Sequence, residues 1–116
     1  MQRKFRLTRS EDFKRVRRSG KSYAHPLVVL IVQAHDQPRL KVGVAAGRTV
    51  GTAVYRNRAK RLLREAMRIL IPSITPGLDI ILIARPGLTS ASLEETHQAL
   101  LTLLQRARIL IPLNES

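Results

Sequence analysis

The stretch from Gly51 to Pro72 sets the frame for the rest of the chain. At 100° per residue, Ala59, Leu62, Leu63, Ala66 and Leu70 fall on one arc, with Met67 at its edge. That spacing predicts a helix packed on a core. Asn57, Lys60, Arg61, Arg64 and Arg68 fall on the opposite arc. The Thr52 hydroxyl is expected to cap the start. Pro72 is expected to stop the far end, because proline cannot continue the hydrogen-bond ladder.

The basic arc points outward to a partner. Between Arg48 and Arg68, seven Lys/Arg stand against one acid, Glu65. A helix that needs only solubility mixes Glu with Lys, since opposite charges four residues apart stabilise and like charges repel. Here the repulsion is accepted, which favours a polyanionic partner and nucleic acid above an anionic membrane surface. Arg56 and Arg58 flank Asn57 in the first turn, where free N–H groups and the helix dipole also attract phosphate. Guanidinium forks hold phosphates at a fixed geometry that lysines do not impose.

A chain of 116 residues supports one domain, 1–116, with a core of modest size and a basic arm over 1–9. A hydrophobic fraction of 44% and a mean hydropathy of −0.09 argue against both disorder and a membrane protein. Apolar runs such as 27–32 are too short to span a bilayer, and the basic N-terminus lacks the pattern of a signal peptide. Without cysteine there is no disulfide and no thiolate metal site. A cytoplasmic protein is expected. Charge is concentrated: residues 1–22 hold nine Lys/Arg against two acids and 48–71 seven against one, whereas 72–116 hold three against four. The last third therefore reads as scaffold.

Residues 10–16 predict a short helix capped by Ser10, anchored by Phe13 and Val16, and ended by Gly20. The arm before it is expected to order only on binding. Residues 27–32 read as a strand covered on both faces, and 40–46 as a strand with a Val face and a nearly bare face of Gly43, Ala45 and Gly47. After the basic helix, Pro76-Gly77 turns into a buried strand at 79–84. A further strand is expected from Tyr23 onward. Ser92 caps a last helix whose stripe is Leu93, His97, Leu100, Leu101, Leu104 and Ala107. Strand, basic helix, strand implies parallel pairing across a crossover. The pentapeptide Arg-Ile-Leu-Ile-Pro, at 68–72 and again at 108–112, reads as coincident helix ends.

The run Gly51-Thr52-Ala53-Val54-Tyr55-Arg56-Asn57-Arg58-Ala59-Lys60-Arg61-Leu62-Leu63-Arg64-Glu65 resembles, without a gap, the signature of the bacterial ribonuclease P protein family. Glu11-Asp12-Phe13-Lys14-Arg15-Val16 with Gly20, Val42-Gly43-Val44, and 79–85 are similar to that family's first helix and later strands. The resemblance covers roughly residues 5–108. It implies an α+β fold: a two-layer α/β sandwich with a four-stranded sheet and three helices, similar to ribosomal protein S5 domain 2, with a left-handed βαβ crossover. It implies a protein subunit, one per RNA, that binds ribonuclease P RNA and precursor tRNA and promotes removal of the 5′ leader. Catalysis is then expected in the RNA, with Mg²⁺ bound by RNA and substrate and no catalytic or metal-holding residue in this chain. By position, Arg56, Asn57, Arg58, Lys60, Arg61, Arg64 and Arg68 match the RNA-binding helix, and Phe13 and Arg48 match leader-cleft positions. Arg17 and Ile31 stand where the family often has aromatic rings. With an aromatic content of 3%, base stacking gives way to Phe13, aliphatic surface and arginine.

Other chemistries are weaker. Residues 47–52 lack the lysine and spacing of a phosphate loop. His25, His35 and His97 fall in a loop, a turn and a helix stripe, which does not make an acid–base pair. Glu94 and Glu95 fit first-turn acids better than metal ligands. Charge alone leaves open a non-catalytic RNA-binding protein of the ribosomal kind.

Overall fold

The computed structural model describes residues 1–111. The elements follow as α1 (Ser10–Ser19), β1 (Lys21–Ala24), β2 (Val28–Ala34), β3 (Leu40–Ala46), α2 (Ala53–Leu70), β4 (Leu78–Ala84) and α3 (Leu93–Ala107). The strands form one sheet in the order β1-β2-β4-β3. β3 lies parallel to β4, because α2 carries the chain back over one face, and the other pairs are antiparallel. The α+β expectation of four strands and three helices holds; the strand expected from Tyr23 onward is β1, which starts two residues earlier, at Lys21, and ends at Ala24.

Strand alternation divides the sheet into two faces. Leu30 of β2, Val42 of β3, and Ile80 and Leu82 of β4 turn to α2 and α3 and build the main core. The register lays the other face out in three rows across the strands. Ser22, Ile31, Ile81 and Gly43 form the middle row; Gln33, Asp79 and Lys41 form one flank; Ala24, Val29, Ile83 and Ala45 form the other. α1 lies over the middle row, where Val16, Leu7, Ile31 and Ile81 bury one another. Gly43 is bare because the Phe13 ring occupies the space a Cβ would take. Gly20 ends α1 through close approach, since a Cβ there would stand 2.7 Å from Ile31 Cγ2.

Several local expectations are corrected. Ser10 is the first helical residue rather than the cap, and Arg9 stands at the cap position with no side-chain bond. Thr52 occupies the cap of α2, but its hydroxyl accepts no N–H, so that turn keeps its free donors. In α2, Met67 is fully buried and Leu62 only half-buried, because the arc that meets sheet and α3 is rotated toward Met67. In α3 the buried stripe is Thr96, Ala99, Leu100, Leu103 and Leu104, while Leu93 is exposed. This helix packs on both α2 and the sheet, which shifts its inner arc. The Ser92 cap stands: Ser92 Oγ accepts from the Glu95 N–H at 3.0 Å, and Glu95 accepts from the Ser92 N–H at 2.8 Å.

The basic arm is folded in the free chain. Arg3–Phe5 make one 3₁₀ turn, and the Leu7 N–H donates to the Val42 carbonyl at 2.9 Å on the outer edge of β3. The repeated pentapeptides both fall at helix ends, as expected, but the chain leaves the two helices differently. The first ends α2, whereas in the second Arg108 takes a left-handed conformation and Ile109–Ile111 pair with Ser73–Thr75; Pro112 lies outside the described residues.

Candidate nucleic-acid interface

α2 presents its cations in two tiers. Asn57, Arg58, Arg61 and Arg68 are exposed, while Arg56, Lys60 and Arg64, spaced four apart, lie half-buried along one shoulder. From Arg56 to Arg68 the helix rises roughly 18 Å. Arg56 is held in place, its Nε donating to the Gly51 carbonyl at 2.9 Å. Gly51 has φ of 135°, a conformation that side-chain-bearing residues avoid, so this anchor depends on glycine. Arg68 pairs with Glu65 at 2.7 Å. The hydrogen bond from Arg68, and then its charge, hold the Glu65 carboxyl below its ordinary 4.5. The stabilisation from this depressed carboxyl is therefore present above 4.5 and lost as pH falls through the lower folded value. Among the described residues, Arg58, Lys60, Arg61 and Arg64 make no side-chain hydrogen bond or ion pair. Their repulsion is left for a partner to relieve.

The opposite face of the sheet carries a crevice beside α1. Phe13 is half-exposed with its ring over Gly43. It lines a crevice of about 250 Å³ at the β3 edge together with Arg6, Val44 and Arg64. The structure thus brings a cleft residue and an α2 cation to one place. Arg48 is exposed in the turn after β3, at the end of the sheet where Ala24, Val29, Ile83 and Ala45 lie. Arg17 is exposed and stands about 200° around α1 from Arg15. Arg15 leans down onto the Gln33–Asp79 flank, which places Arg17 on the side of the aliphatic flank.

Ile31 differs from the expectation. It lies on the cleft face but is only 5% exposed, packed beneath α1 between Val16 and Ile81. Alternation assigns the face correctly, but α1 covers that row. The accessible aliphatic floor is the neighbouring row, where Val29, Ile83 and Ala45 are half-buried and Ala24 is exposed. Sequence reasoning passed over Val29 and Ile83, which belong to strands read as wholly buried.

Sequence reasoning also missed the anchor of α1. Asp79 is fully buried on the polar flank. Arg15 Nη2 donates to its Oδ2 at 2.7 Å, and Arg39 Nη1 to its Oδ1 at 3.0 Å. Asp12 accepts from Arg15 at 3.1 Å, and Gln33 accepts from the other Arg15 nitrogen. The hydrogen bond to Asp79, then that to Asp12, raises the Arg15 pKa above its ordinary value. His35 takes the Gln37 N–H at Nδ1, so Nε2 carries the proton and points at Asp79 from 3.5 Å, too far for a hydrogen bond. The signal in the sequence was a lone carboxylate inside an Ile/Leu-rich strand, since a buried acid requires partners.

Among the described residues, no cluster of three or more His, Asp or Glu is placed to hold a metal ion, and no helix is long and apolar enough to cross a membrane. The unpartnered cations of α2 suit phosphate, and the half-covered opposite face of the sheet offers a separate aliphatic surface beside α1. Residues 1–108 match the sequence profile of the Ribonuclease P family. The chain belongs to the ribonuclease P protein family. A ribonuclease P protein component of Herpetosiphon aurantiacus is 44% identical over 94% of this chain and 89% of the relative. That of Brevibacillus brevis is 38% identical over 95% and 88%. The solved ribonuclease P protein of Thermotoga maritima superposes with a TM-score of 0.77 at 30% identity, covering 87% of this chain and 96% of its own. That of Staphylococcus aureus superposes with a TM-score of 0.80 at 26% identity, covering 91% and 97%. Membership decides between the ribonuclease P reading and the ribosomal one.

Proposed function

We propose that this ribonuclease P protein holds ribonuclease P RNA along α2 and the 5′ leader of precursor tRNA over the sheet face beside α1. The observation that carries the reading is the α2 arc, where four cations lack a partner among the described residues and the helix's single acid is already taken by Arg68. Arg58, Lys60, Arg61 and Arg64 meet phosphate, with Arg56 pre-set by Gly51, Asn57 adding an amide and Arg68 at the far end. Phe13, Arg17 and Arg48 surround the leader, which runs over Val29, Ile83 and Ala45 rather than over Ile31. The protein raises the affinity of the holoenzyme for precursor over mature tRNA, because only the precursor has a leader to touch.

The hydrolysis itself belongs to the RNA. Mg²⁺ held by RNA and substrate would supply the activation of water and the stabilisation of the leaving oxygen, while this chain binds and orients. Among the described residues the one fully buried carboxylate, Asp79, is committed to two arginines. One protein acts per RNA, in the cytoplasm.

Reconstitution tests the reading. Full-length chain and ribonuclease P RNA together should cleave precursor tRNA at low Mg²⁺, where either alone does not. Joint replacement of His25, His35 and His97 by neutral residues should leave the holoenzyme's cleavage step nearly unchanged. Site-specific cleavage by RNA-free protein, or no stimulation of the RNA, overturns it.

A further inference from the structure

The cationic arc of α2 does not end on flat surface. Beyond Arg68 it runs into a cavity of about 810 Å³, walled by the N-terminal arm, the start of β3 and the segment after α2. That volume is in the range of sites that take small organic ligands. Its apolar lining includes Phe5, Leu40 and Ile74, and its cations include Lys4, Lys41 and Arg68. No described acid lines it. Arg39 also faces the cavity but is committed to Asp79.

We propose that this cavity binds one unpaired nucleotide of ribonuclease P RNA, its base against Phe5 and its flanking phosphates on Lys41, Lys4 and Arg68. The proposal rests on the reading that α2 carries that RNA. Three features select this occupant. An aromatic ring among aliphatic side chains suits a base of any sequence, because every base has a π face. An acid-free cationic lining suits phosphate and repels cationic peptide. Arg68 belongs both to the α2 arc and to the cavity, so a strand lying on α2 reaches the site without a break. Lys4 already lies 5.1 Å from the centre of the Phe5 ring, which steadies the ring. The leader is a poorer fit. The aliphatic floor beside α1 and Arg48 lie toward the end of β3, whereas this cavity lies at its start, by Leu40 and Lys41.

The test compares full-length wild type, Phe5→Leu, Phe5→Tyr, Lys41→Ala and Arg58→Ala for ribonuclease P RNA affinity across a salt series. Phe5→Leu keeps apolar volume but removes the ring, and should weaken binding about tenfold with an unchanged slope of log K against log salt. Phe5→Tyr should bind as wild type. Lys41→Ala, which leaves the arm intact, should lower the slope by roughly 0.7. The ratio of precursor to mature tRNA affinity should not move in Phe5→Leu. Wild-type affinity in Phe5→Leu, equal losses in Leu and Tyr variants, an unchanged slope in Lys41→Ala, or a shift in the precursor ratio overturns the proposal. If removing residues 112–116 abolishes the difference between wild type and Phe5→Leu, the cavity serves the chain's own tail and the proposal falls. Arg58→Ala separates the two readings: if it too binds like wild type, the α2 assignment has failed; if it alone weakens binding, only the nucleotide site has.

Discussion

On one side of the sheet, α2 and α3 bury Leu30, Ile80, Leu82, Leu63, Met67 and Leu100 in a continuous core. On the other, α1 covers a single row, and its apolar contacts centre on Val16, Leu7, Ile31 and Ile81. The first face is held by area removed from water. The second adds to its smaller apolar cluster one buried carboxylate, Asp79, gripped by Arg15 of α1 and by Arg39 just before β3. A helix fastened along one flank leaves the opposite flank of the sheet open. That is how a small chain keeps an aliphatic floor accessible without giving up its core.

Removing the fastener should have the largest effect. Asp79→Ala removes the charge-assisted hydrogen bonds of two partly exposed arginines and should cost about 3–4 kcal/mol. Hydrogen exchange should show α1 opening before α2 and α3. Uniform loss of protection across all three helices would mean that the two faces are not held independently. Truncation on the covered face comes next: Leu100→Ala should cost about 2–4 kcal/mol in denaturant titration, because Leu100 is fully buried. Ile83→Ala, on the half-covered row, should cost about 1 kcal/mol, since part of that side chain is already in water. Equal costs at the two positions would show that the second face is as tightly packed as the first.

The smaller stability effects belong to α2. Arg58→Ala combined with Arg61→Ala should change stability by no more than about 0.5 kcal/mol. The same pair should reduce the salt slope of ribonuclease P RNA binding by roughly 0.7–0.9 for each phosphate no longer neutralised. Unchanged affinity would move the RNA off this helix. Glu65→Gln releases Arg68 from its only described partner and should tighten RNA binding by about twofold, on the scale of an exposed pair. It should also remove the small acid-range loss of stability tied to the Glu65 carboxyl.

Period and punctuation were enough to read β3 with its boundaries, the span of α2 before Pro72, and the Ser92 cap of α3. These depend on neighbours within a few residues. What escaped depends on distant packing. Leu62 and Met67 flank the same arc, and only the placement of α3 decides which goes inside. Ile31 and Val29 alternate onto one face, but the line of α1 across the sheet decides which is covered. Arg15 looked like one more cation in a basic segment until a strand far along the chain supplied Asp79. The cationic motif was readable because function, unlike packing, was written there in consecutive residues.

The pairing of the arm with β3 has a bearing on how the protein behaves alone. A sheet edge with unpaired N–H and C=O groups is a template on which other chains can add strands. Here the outer edge of β3 is met by the Leu7 N–H and the Arg6–Val42 bridge, and the opposite edge, β1, is four residues long with Lys21 at its start. Both borders are thus blunted, one by a flap of the chain itself and the other by brevity and charge. Clipping residues 1–9 would uncover the outer edge of β3, so the shortened chain should self-associate in concentrated solution where the intact chain does not.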